Sequence, residues 1–313
     1  MTILANAKIN LTLEVYATRP DGYHALRSLV VPISLADTLE IEPTCDGSVT
    51  SDTGFEDDLC VKAARELFDC SDCSDCSDCS DCSDCSDCSD CSDCSIARGR
   101  RCGVRIRVVK RIPVGGGLGG GSADAAATLR ALNELWHLGK TPEELAQIAA
   151  AVGSDVPALV LAQHYRQTVL MEGRGEKVAL ANQADVRLCP IEQSNNPNNP
   201  NNLNNPNNPN NRTIPLVLAN PGISVSTPEI FRLCTPRTEP AQGPVNDLQE
   251  PAIRRHPEIA RTLDALRAAG ATDVRMSGSG ATCFGFAPDG ASAARIAATL
   301  ARAGLQSWTT CLL

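Results

Sequence analysis

A run of glycines between a strand pattern and a helix pattern is the feature that most constrains this chain. Residues 111–127 read RIPVGGGLGGGSADAAA, and six of the seven residues from Gly115 to Gly121 lack a side chain. Glycine reaches positive φ and lets a ligand approach the backbone closely, and a helix start offers unpaired N–H groups at the positive end of its dipole. The run therefore predicts a loop that binds phosphate.

Two known glycine-rich patterns fit this run poorly. A P-loop needs Lys followed by Ser or Thr directly after its last glycine, whereas Ser122 and Ala123 follow here. Gly115, Gly117 and Gly120 satisfy the dinucleotide-binding spacing, but no acidic residue closes a second strand about 20 positions further on. A surface turn is the remaining alternative, and the regular patterns on either side argue against it.

The segments that flank the run have regular hydrophobic spacing. Residues 104–108 alternate between apolar residues and arginine, which predicts a strand. From Ser122 to Trp136 apolar residues recur at helical spacing, with Ser122 as the expected N-cap and Asp124 favouring the first turn. The predicted order is therefore strand, phosphate-binding loop, helix.

Further elements are predicted on both sides of this unit. Alternation over residues 9–15 predicts a half-buried strand, and residues 29–35 and 38–41 predict two more. Helical spacing over residues 58–68 predicts a helix, and Thr141, followed by Pro and two carboxylates, begins another that runs to Val152.

The C-terminal half has its own mixture of strand and helix patterns. Strands are expected at residues 216–219, 273–276 and 282–286, and helices at residues 257–269 and 291–303. A chain of 313 residues is long enough for two domains of ordinary size. We therefore expect a second α+β domain, with a boundary in the 160s.

Two low-complexity tracts interrupt the chain. Eight Ser-Asp-Cys triplets fill residues 71–94, and an Asn/Pro tract fills residues 195–211. Leaving out the eight aspartates of the triplets changes the formal net charge from −9 to −1, so the acidic character belongs to that tract. Both tracts are predicted to be insertions in surface connections, because neither contains the apolar residues that a core needs. The first insertion is taken as residues 70–95.

The rest of the sequence favours a cytoplasmic protein that binds neither nucleic acid nor a membrane. Nine of the sixteen cysteines stand at three-residue intervals from Cys70 to Cys94, and the other seven are scattered, an odd number that is typical of free thiols in a reducing compartment. The first residues have no apolar leader, and no run of about 18 apolar residues could span a bilayer. The basic residues form no patch large enough for nucleic acid.

Polar residues concentrate in four short segments where predicted strands end. They are AKIN (residues 7–10), RPDGYH (residues 19–24), GSDVP (residues 153–157) and SGSGAT (residues 277–282). Together with the glycine run and Asn246-Asp247-Leu248, they resemble the GHMP-type small-molecule kinases in their expected order. Within that family they resemble the 4-diphosphocytidyl-2-C-methyl-D-erythritol kinases, because the loop ends in GGGS where homoserine and mevalonate kinases are expected to show GLGSS.

This resemblance covers residues 7 to about 286 and implies a fold and cofactors. The implied fold class is α+β, the two-domain GHMP kinase fold. Residues 1–163 would form a ribosomal protein S5 domain 2-like ATP-binding domain, and residues 164–313 a ferredoxin-like α+β substrate domain. The implied cofactors are ATP and Mg²⁺; no metal ligand can be assigned from the sequence, although Ser122 is a candidate.

The resemblance also implies a catalytic pair. Asp155 is similar to the family's catalytic aspartate, which accepts the proton of the acceptor hydroxyl as it attacks the γ-phosphate of ATP, and Lys8 is its partner. An adjacent ammonium keeps a carboxylate ionised and stabilises phosphoryl charge. Taken singly, Lys8 could be a solvated lysine at a strand end, and Asp155 a helix N-cap.

Binding residues follow from the same resemblance. The residues that match the ATP loop are Pro113, Gly115, Gly116, Gly117, Leu118, Gly119, Gly120, Gly121 and Ser122. Those that match the acceptor side are Asn10, Tyr23, His24, Thr227, Phe231, Gly278 and Ser279. Tyr23 and His24 match a pair that holds the cytosine base and Phe231 the second aromatic of that site, although a buried Tyr and a core Phe would also fit each pattern alone.

Two other functions stay open at this point. Another GHMP kinase would act on homoserine, mevalonate or a sugar, but such an acceptor has no use for an aromatic base site. A Cys-rich metal-binding or scaffold protein could be organised by the triplet ladder, although metal sites usually gather spaced Cys or His clusters. The expected partner is a small-molecule substrate, and the sequence leaves the oligomeric state open.

Overall fold

The computed structural model describes residues 1–182 and 213–313, apart from residues 21, 45 and 70–102. Both low-complexity tracts lie outside the described residues, so their assignment as surface insertions stays a prediction. Asp21, in one of the polar segments, also lies outside them.

The first sheet has six strands built around one long hairpin. Its strands are β1 (Thr2–Thr18), β2 (His24–Thr44), β3 (Val49–Ser51), β4 (Gly103–Val109), β5 (Val169–Gly173) and β6 (Lys177–Leu180). β1 pairs antiparallel with one edge of β2, and β4 and β5 pair with its other edge at opposite ends. The path β3-β4-β2-β5-β6 completes the sheet.

Four helices belong to this first unit. They are α1 (Leu59–Asp69), α2 (Gly120–Leu135), α3 (Pro142–Val152) and α4 (Val156–Tyr165). Alanines and leucines of α2 are fully buried against β1 and the other helices. The capping box predicted for Thr141 is confirmed, because its side chain accepts from Glu144 N while the Glu144 carboxylate accepts from Thr141 N.

The second sheet is antiparallel and has four strands in the order β10-β7-β9-β8. These strands are β7 (Pro215–Asn220), β8 (Thr272–Met276), β9 (Cys283–Phe286) and β10 (Gln306–Cys311), and the helices of this unit are α5 (Thr227–Leu233), α6 (Gln249–Arg255), α7 (Pro257–Ala268) and α8 (Gly290–Arg302). This unit has a hydrophobic core of its own. The expected α+β class with two units is confirmed.

Sheet membership changes between residues 180 and 215. β5 and β6 pair within the first sheet although they follow residue 163 in the chain. The division into residues 1–163 and 164–313 stays a prediction, but the first sheet continues through Leu180.

Two strand predictions differ from the structure. Residues 29–35 and 38–41 are not separate strands, because Ala36 and Asp37 continue the pairing of β2 with β1. β1 is not half-buried: from Ala7 to Val15 it is buried on both faces. Its outer edge is covered by the second unit, where Leu13 N donates to the Val245 carbonyl.

Candidate active site

One cavity of about 1020 Å³ collects almost all of the predicted site residues. The predicted residues that line it are Lys8, Asn10, Tyr23, His24, Pro113, Gly115, Gly116, Gly117, Gly119, Gly120, Gly121, Ser122, Asp155, Thr227, Phe231, Gly278 and Ser279. Leu118 is the exception, because its side chain is fully buried in the core. Both structural units therefore contribute to one site.

The glycine loop needs its glycines for backbone shape and for close packing. Gly115, Gly117 and Gly119 have φ values of 70°, 76° and 67°, in the left-handed region that side chains disfavour. A Cβ on Gly117 would lie 2.3 Å from the Ser277 carbonyl oxygen, so the loop lies directly against the second unit. Only glycine fits this approach.

The start of α2 differs from the sequence-based expectation. Ser122 is not the N-cap, since the helix begins at Gly120 and Gly119 occupies the cap position without a side-chain hydrogen bond. The left-handed conformation of Gly119 turns the loop into the helix, so the N-cap lies three residues before the expected Ser122. Ser122 therefore lies in the first turn, on the wall of the cavity.

Lys8 and Asp155 form an ion pair inside the cavity. Lys8 Nζ lies 3.1 Å from Asp155 Oδ2, and the two side chains are 4% and 33% exposed. Asp155 stands at the N-cap position of α4, but its side chain makes no capping hydrogen bond. The carboxylate is thus paired with the lysine while part of it remains open to a ligand.

Hydrogen bonds fix the position of Lys8 from two sides. Its backbone N donates to the Leu118 carbonyl at 3.1 Å, which ties β1 to the glycine loop. Its Nζ donates to Asn10 Oδ1 at 2.6 Å, and Asn10 Nδ2 donates to Ser28 Oγ at 2.8 Å. Ser28 is a supporting residue that the sequence did not indicate, since nothing local relates it to Asn10.

The Ser277 turn closes the cavity from the second unit. Ser277 Oγ accepts from Asn10 N and donates to the Gly117 carbonyl, so one hydroxyl joins β1 to the glycine loop. Asn246 Nδ2 donates to the carbonyl oxygens on either side of Ser277, those of Met276 and Gly278. Asn246 thus supports the SGSGAT turn, one of the polar segments that carry the resemblance.

The aromatic residues predicted for the site, Tyr23, His24 and Phe231, all line the cavity. The rings of His24 and Phe231 stack with centroids 5.9 Å apart and an interplanar angle of 19°. Tyr23 does not join this stack in the described structure; its side chain is 55% exposed, and the Arg174 guanidinium lies 5.7 Å from its ring centroid. Nearby, the hydroxyls of Thr227 and Ser279 are 2.7 Å apart.

A second lysine–carboxylate cluster lies behind the glycine loop. Lys110 Nζ donates to Asp37 Oδ2 at 2.5 Å and to Asp124 Oδ2 at 2.7 Å. Asp37 also accepts from the backbone N atoms of Arg111 and Ile112. The cluster therefore anchors the segment that leads into the loop.

Burial sets the ionisation of this cluster. Burial raises the pKa of Asp124 to about 7 against the opposing Lys110 charge, and the Asp37 charge acts in the same direction as burial. Burial alone would lower the pKa of Lys110, but the charges and hydrogen bonds of Asp124 and Asp37 outweigh it and raise that pKa. Asp124 was expected to favour the first helical turn; it is instead buried beside Lys110.

Some chemistry is absent from the described part of the chain. Across residues 1–182 and 213–313, without the gaps given above, no three His, Cys, Asp or Glu side chains are grouped to hold a metal ion. Cys60, Cys234, Cys283 and Cys311, all within these ranges, are free thiols. No helix in them combines the length and apolar character that crossing a membrane takes.

Family models match both units of the chain. The model described as the GHMP kinases N terminal domain matches residues 91–163, and the model described as GHMP kinases C terminal matches residues 238–306. A crystal structure of mevalonate kinase superimposes with a TM-score of 0.62 at 12% identity, covering 100% of this chain and 99% of the other. That likeness shows the fold alone.

More similar relatives share one name. The chain is 33% identical to a 4-diphosphocytidyl-2-C-methyl-D-erythritol kinase from Pelotomaculum thermopropionicum, over 99% of this chain and 97% of the relative. It is 36% identical to the kinase of that name from Cereibacter sphaeroides, over 97% and 95%. A crystal structure of 4-(cytidine 5'-diphospho)-2C-methyl-D-erythritol kinase matches with a TM-score of 0.71 and 30% identity, over 100% and 99% of the two chains. The chain therefore belongs to the 4-diphosphocytidyl-2-C-methyl-D-erythritol kinases, a family of GHMP kinases.

Proposed function

We propose that this chain transfers the γ-phosphoryl group of ATP to the 2-hydroxyl group of 4-diphosphocytidyl-2-C-methyl-D-erythritol, giving the 2-phosphate and ADP, in the non-mevalonate route to isoprenoid precursors. Family membership supports the reaction and the acceptor. The observation that carries the residue assignment is the ion pair of Lys8 with Asp155, at 3.1 Å in the wall of the cavity that the glycine loop also lines.

Asp155 acts as the general base in this proposal. The acceptor oxygen forms a bond to the γ-phosphorus, its proton passes to the Asp155 carboxylate, and the bond from the γ-phosphorus to the bridging oxygen of ADP breaks. The Lys8 ammonium lies beside the carboxylate, where it stabilises the charge that develops on the transferred group. Asn10 keeps the ammonium aimed at this point.

The glycine loop and the start of α2 would hold the ATP phosphates. The first N–H groups of a helix have no partner within the helix, and the dipole favours an anion there. Left-handed glycines expose the loop backbone on the cavity side without side chains in the way. Gly278 and Ser279 approach from the second unit and complete the enclosure.

The site would suit a Mg²⁺ ion that takes most of its ligands from the phosphates of the nucleotide. The oxygen donors Ser122 and Asp155 line the cavity, and oxygen is the ligand that Mg²⁺ prefers. The described residues hold no cluster that would cage a metal without phosphate. Ser122 would provide one ligand, and the bound cation would neutralise phosphate charge.

His24 and Phe231 would bind the cytosine base. A carbonyl oxygen can only accept, so the 3.3 Å contact of His24 Nδ1 with the Tyr16 carbonyl assigns the ring proton to Nδ1. With the proton on Nδ1 alone, Nε2 would accept from the exocyclic amino group of cytosine. Phe231, with Tyr23 at the rim, supplies the aromatic faces.

The proposal is tested by following ADP release from purified protein with ATP, Mg²⁺ and the cytidyl acceptor. We expect acceptor-dependent turnover, and no turnover with homoserine or mevalonate at the same concentration. A folded protein that releases ADP no faster with the cytidyl acceptor than without it would refute the proposal.

A deletion variant separates the kinase from a scaffold organised by the triplet ladder. Removing residues 71–94 should leave the rate of ADP release close to that of the full chain, because neither Asp69 nor Gly103, the described residues on either side, lines the cavity. Metal analysis of the full chain provides the contrast: stoichiometric metal that is required for folding would favour the scaffold.

A further inference from the structure

The turn between β5 and β6 brings an arginine to the cavity. Gly173 and Gly175 flank Arg174 with φ values of 75° and 118°, which only glycine adopts readily. A Cβ on Gly175 would lie 2.1 Å from the Ser154 carbonyl oxygen, so the turn lies directly against the segment that carries Asp155. Arg174 is thus placed next to the reacting end of the site.

The same arginine reaches the base-binding end. Its guanidinium lies 5.7 Å from the ring centroid of Tyr23, and Tyr23 precedes His24, which stacks on Phe231. Arg174, Tyr23 and His24 all line the cavity. Arg174 therefore borders the path between the proposed cytosine site and the Lys8–Asp155 pair.

The charge of Arg174 is available to a ligand. Glu176 holds the turn through the backbone, since Glu176 Oε2 accepts from Arg174 N at 2.6 Å while Oε1 accepts from Arg19 Nη1 at 2.7 Å. Within the described part of the chain, the Arg174 guanidinium pairs with no carboxylate, whereas Lys8 and Lys110 at the cavity wall are both paired. The guanidinium lies instead over the aromatic face of Tyr23.

We propose that Arg174 binds the diphosphate group of the acceptor and is a specificity-determining residue for nucleoside diphosphate-linked alcohols. This inference rests on the proposed function, in which the base lies at His24 and the hydroxyl at Asp155. The diphosphate must then cross the interval that Arg174 borders. A guanidinium suits it because its fork of N–H donors matches phosphate oxygens, and stacking on Tyr23 limits its rotation.

Binding of cytidine and of cytidine diphosphate to the wild type and to Arg174→Gln tests this directly. Calorimetric titrations without ATP give an affinity ratio for the two ligands, and this ratio isolates the diphosphate from the base. We expect the diphosphate to bind the wild type about tenfold more tightly than the nucleoside, the change that one charged hydrogen-bonded contact gives. In Arg174→Gln we expect the ratio to fall at least fivefold.

Lys177→Gln is the matched control. Lys177 begins β6 in the same hairpin, is exposed and does not line the cavity. Its replacement by glutamine therefore removes one positive charge without changing the proposed diphosphate path. Its affinity ratio should equal that of the wild type. Steady-state kinetics give a second readout, with KM for the acceptor raised in Arg174→Gln and KM for ATP unchanged.

The two proposals fail separately. A wild type without acceptor-dependent turnover refutes the proposed function, while the binding ratio still decides the role of Arg174. An affinity ratio in Arg174→Gln within twofold of the wild-type ratio, or the same loss in Lys177→Gln, overturns the assignment of Arg174.

Discussion

Lys8 and Lys110 are both lysines held by carboxylates at the wall of one cavity, but their surroundings differ. Lys8 pairs with one carboxylate, Asp155, whose side chain is 33% exposed. Lys110 lies between two carboxylates, Asp37 and Asp124, whose side chains are 0% and 3% exposed. The first pair can meet a ligand through Asp155, whereas the carboxylates of the second are closed off from one.

This comparison teaches that access, more than the ion pair itself, decides what a lysine–carboxylate contact can do. In the proposed mechanism, the exposed edge of Asp155 would let a substrate hydroxyl approach and give up its proton. The oxygens of Asp37 are fully used by the chain, by two backbone N–H groups and one ammonium. We therefore expect changes at Asp155 to affect catalysis, and changes at Asp37 to affect stability.

The largest expected effect is on catalysis in Asp155→Asn. The amide keeps the shape of the side chain but cannot accept the proton, so we expect kcat to fall about 1000-fold, within the usual range for a lost general base. The midpoint of thermal unfolding should stay near that of the wild type. ADP release and thermal unfolding measure the two quantities.

Asp264→Asn is the control for that variant. Asp264 is 76% exposed, pairs with Arg267 in α7 and does not line the cavity. It should keep wild-type kcat. A wild-type kcat in Asp155→Asn itself would contradict the expectation that changes at Asp155 affect catalysis.

A smaller effect, on stability, is expected in Asp37→Asn. The amide presents N–H donors where Lys110 and two backbone N–H groups need an acceptor, so we expect the free energy of unfolding to fall by about 3 kcal/mol. Urea unfolding measures it. Glu40→Gln, on the same strand but with an exposed pair to Arg107, should change it by less than about 1 kcal/mol. Equal losses in both variants would contradict the structural role of Asp37.

The smallest expected effect is on the pH dependence of stability in Asp124→Asn. Because burial raises the pKa of Asp124 to about 7, the folded state holds this proton more tightly than the unfolded state. The resulting stabilisation is present below the ordinary carboxyl pKa and is lost as pH rises to about 7. We expect the variant to lose less stability than the wild type over this interval, because it has no proton to release there.

Urea unfolding at several pH values, from about 4, the ordinary carboxyl pKa, to about 7, measures how the free energy of unfolding changes with pH. Asp264→Asn again provides the exposed comparison and should keep the wild-type slope. An unchanged slope in Asp124→Asn would mean that Asp124 does not hold this proton in the folded protein.

The sequence alone indicated the Lys8–Asp155 pair, but it did not indicate the cluster of Lys110, Asp37 and Asp124. Lys8 and Asp155 stand in short polar segments whose types and order resemble a family, so the sequence indicated both before any distance was known. The roles of the two residues stay predictions. The fold class was predictable for a related reason, since regular hydrophobic spacing predicts elements one at a time.

The cluster of Lys110, Asp37 and Asp124 depends on tertiary packing, which the spacing of residues along the sequence does not predict. Asp37 lies within β2 at a point where two strands were expected, and Asp124 follows a serine that resembled an N-cap. Lys110 directly precedes residues 111–127, the stretch that contains the glycine run, and this position was the one local indication of the cluster. The antiparallel pairing of β2 with β4 places Asp37 beside Lys110, and the packing of α2 against β2 brings Asp124 to them.

The hydrogen bond from Lys8 N to the Leu118 carbonyl has a consequence for how the two substrates bind. The glycine loop and the lysine of the proposed catalytic pair share one backbone contact, so in the proposed function ordering of the loop by ATP would also order the lysine. We expect the substrates to bind cooperatively. Thermodynamic linkage then requires the acceptor to raise the affinity for ATP by the same factor by which ATP raises the affinity for the acceptor.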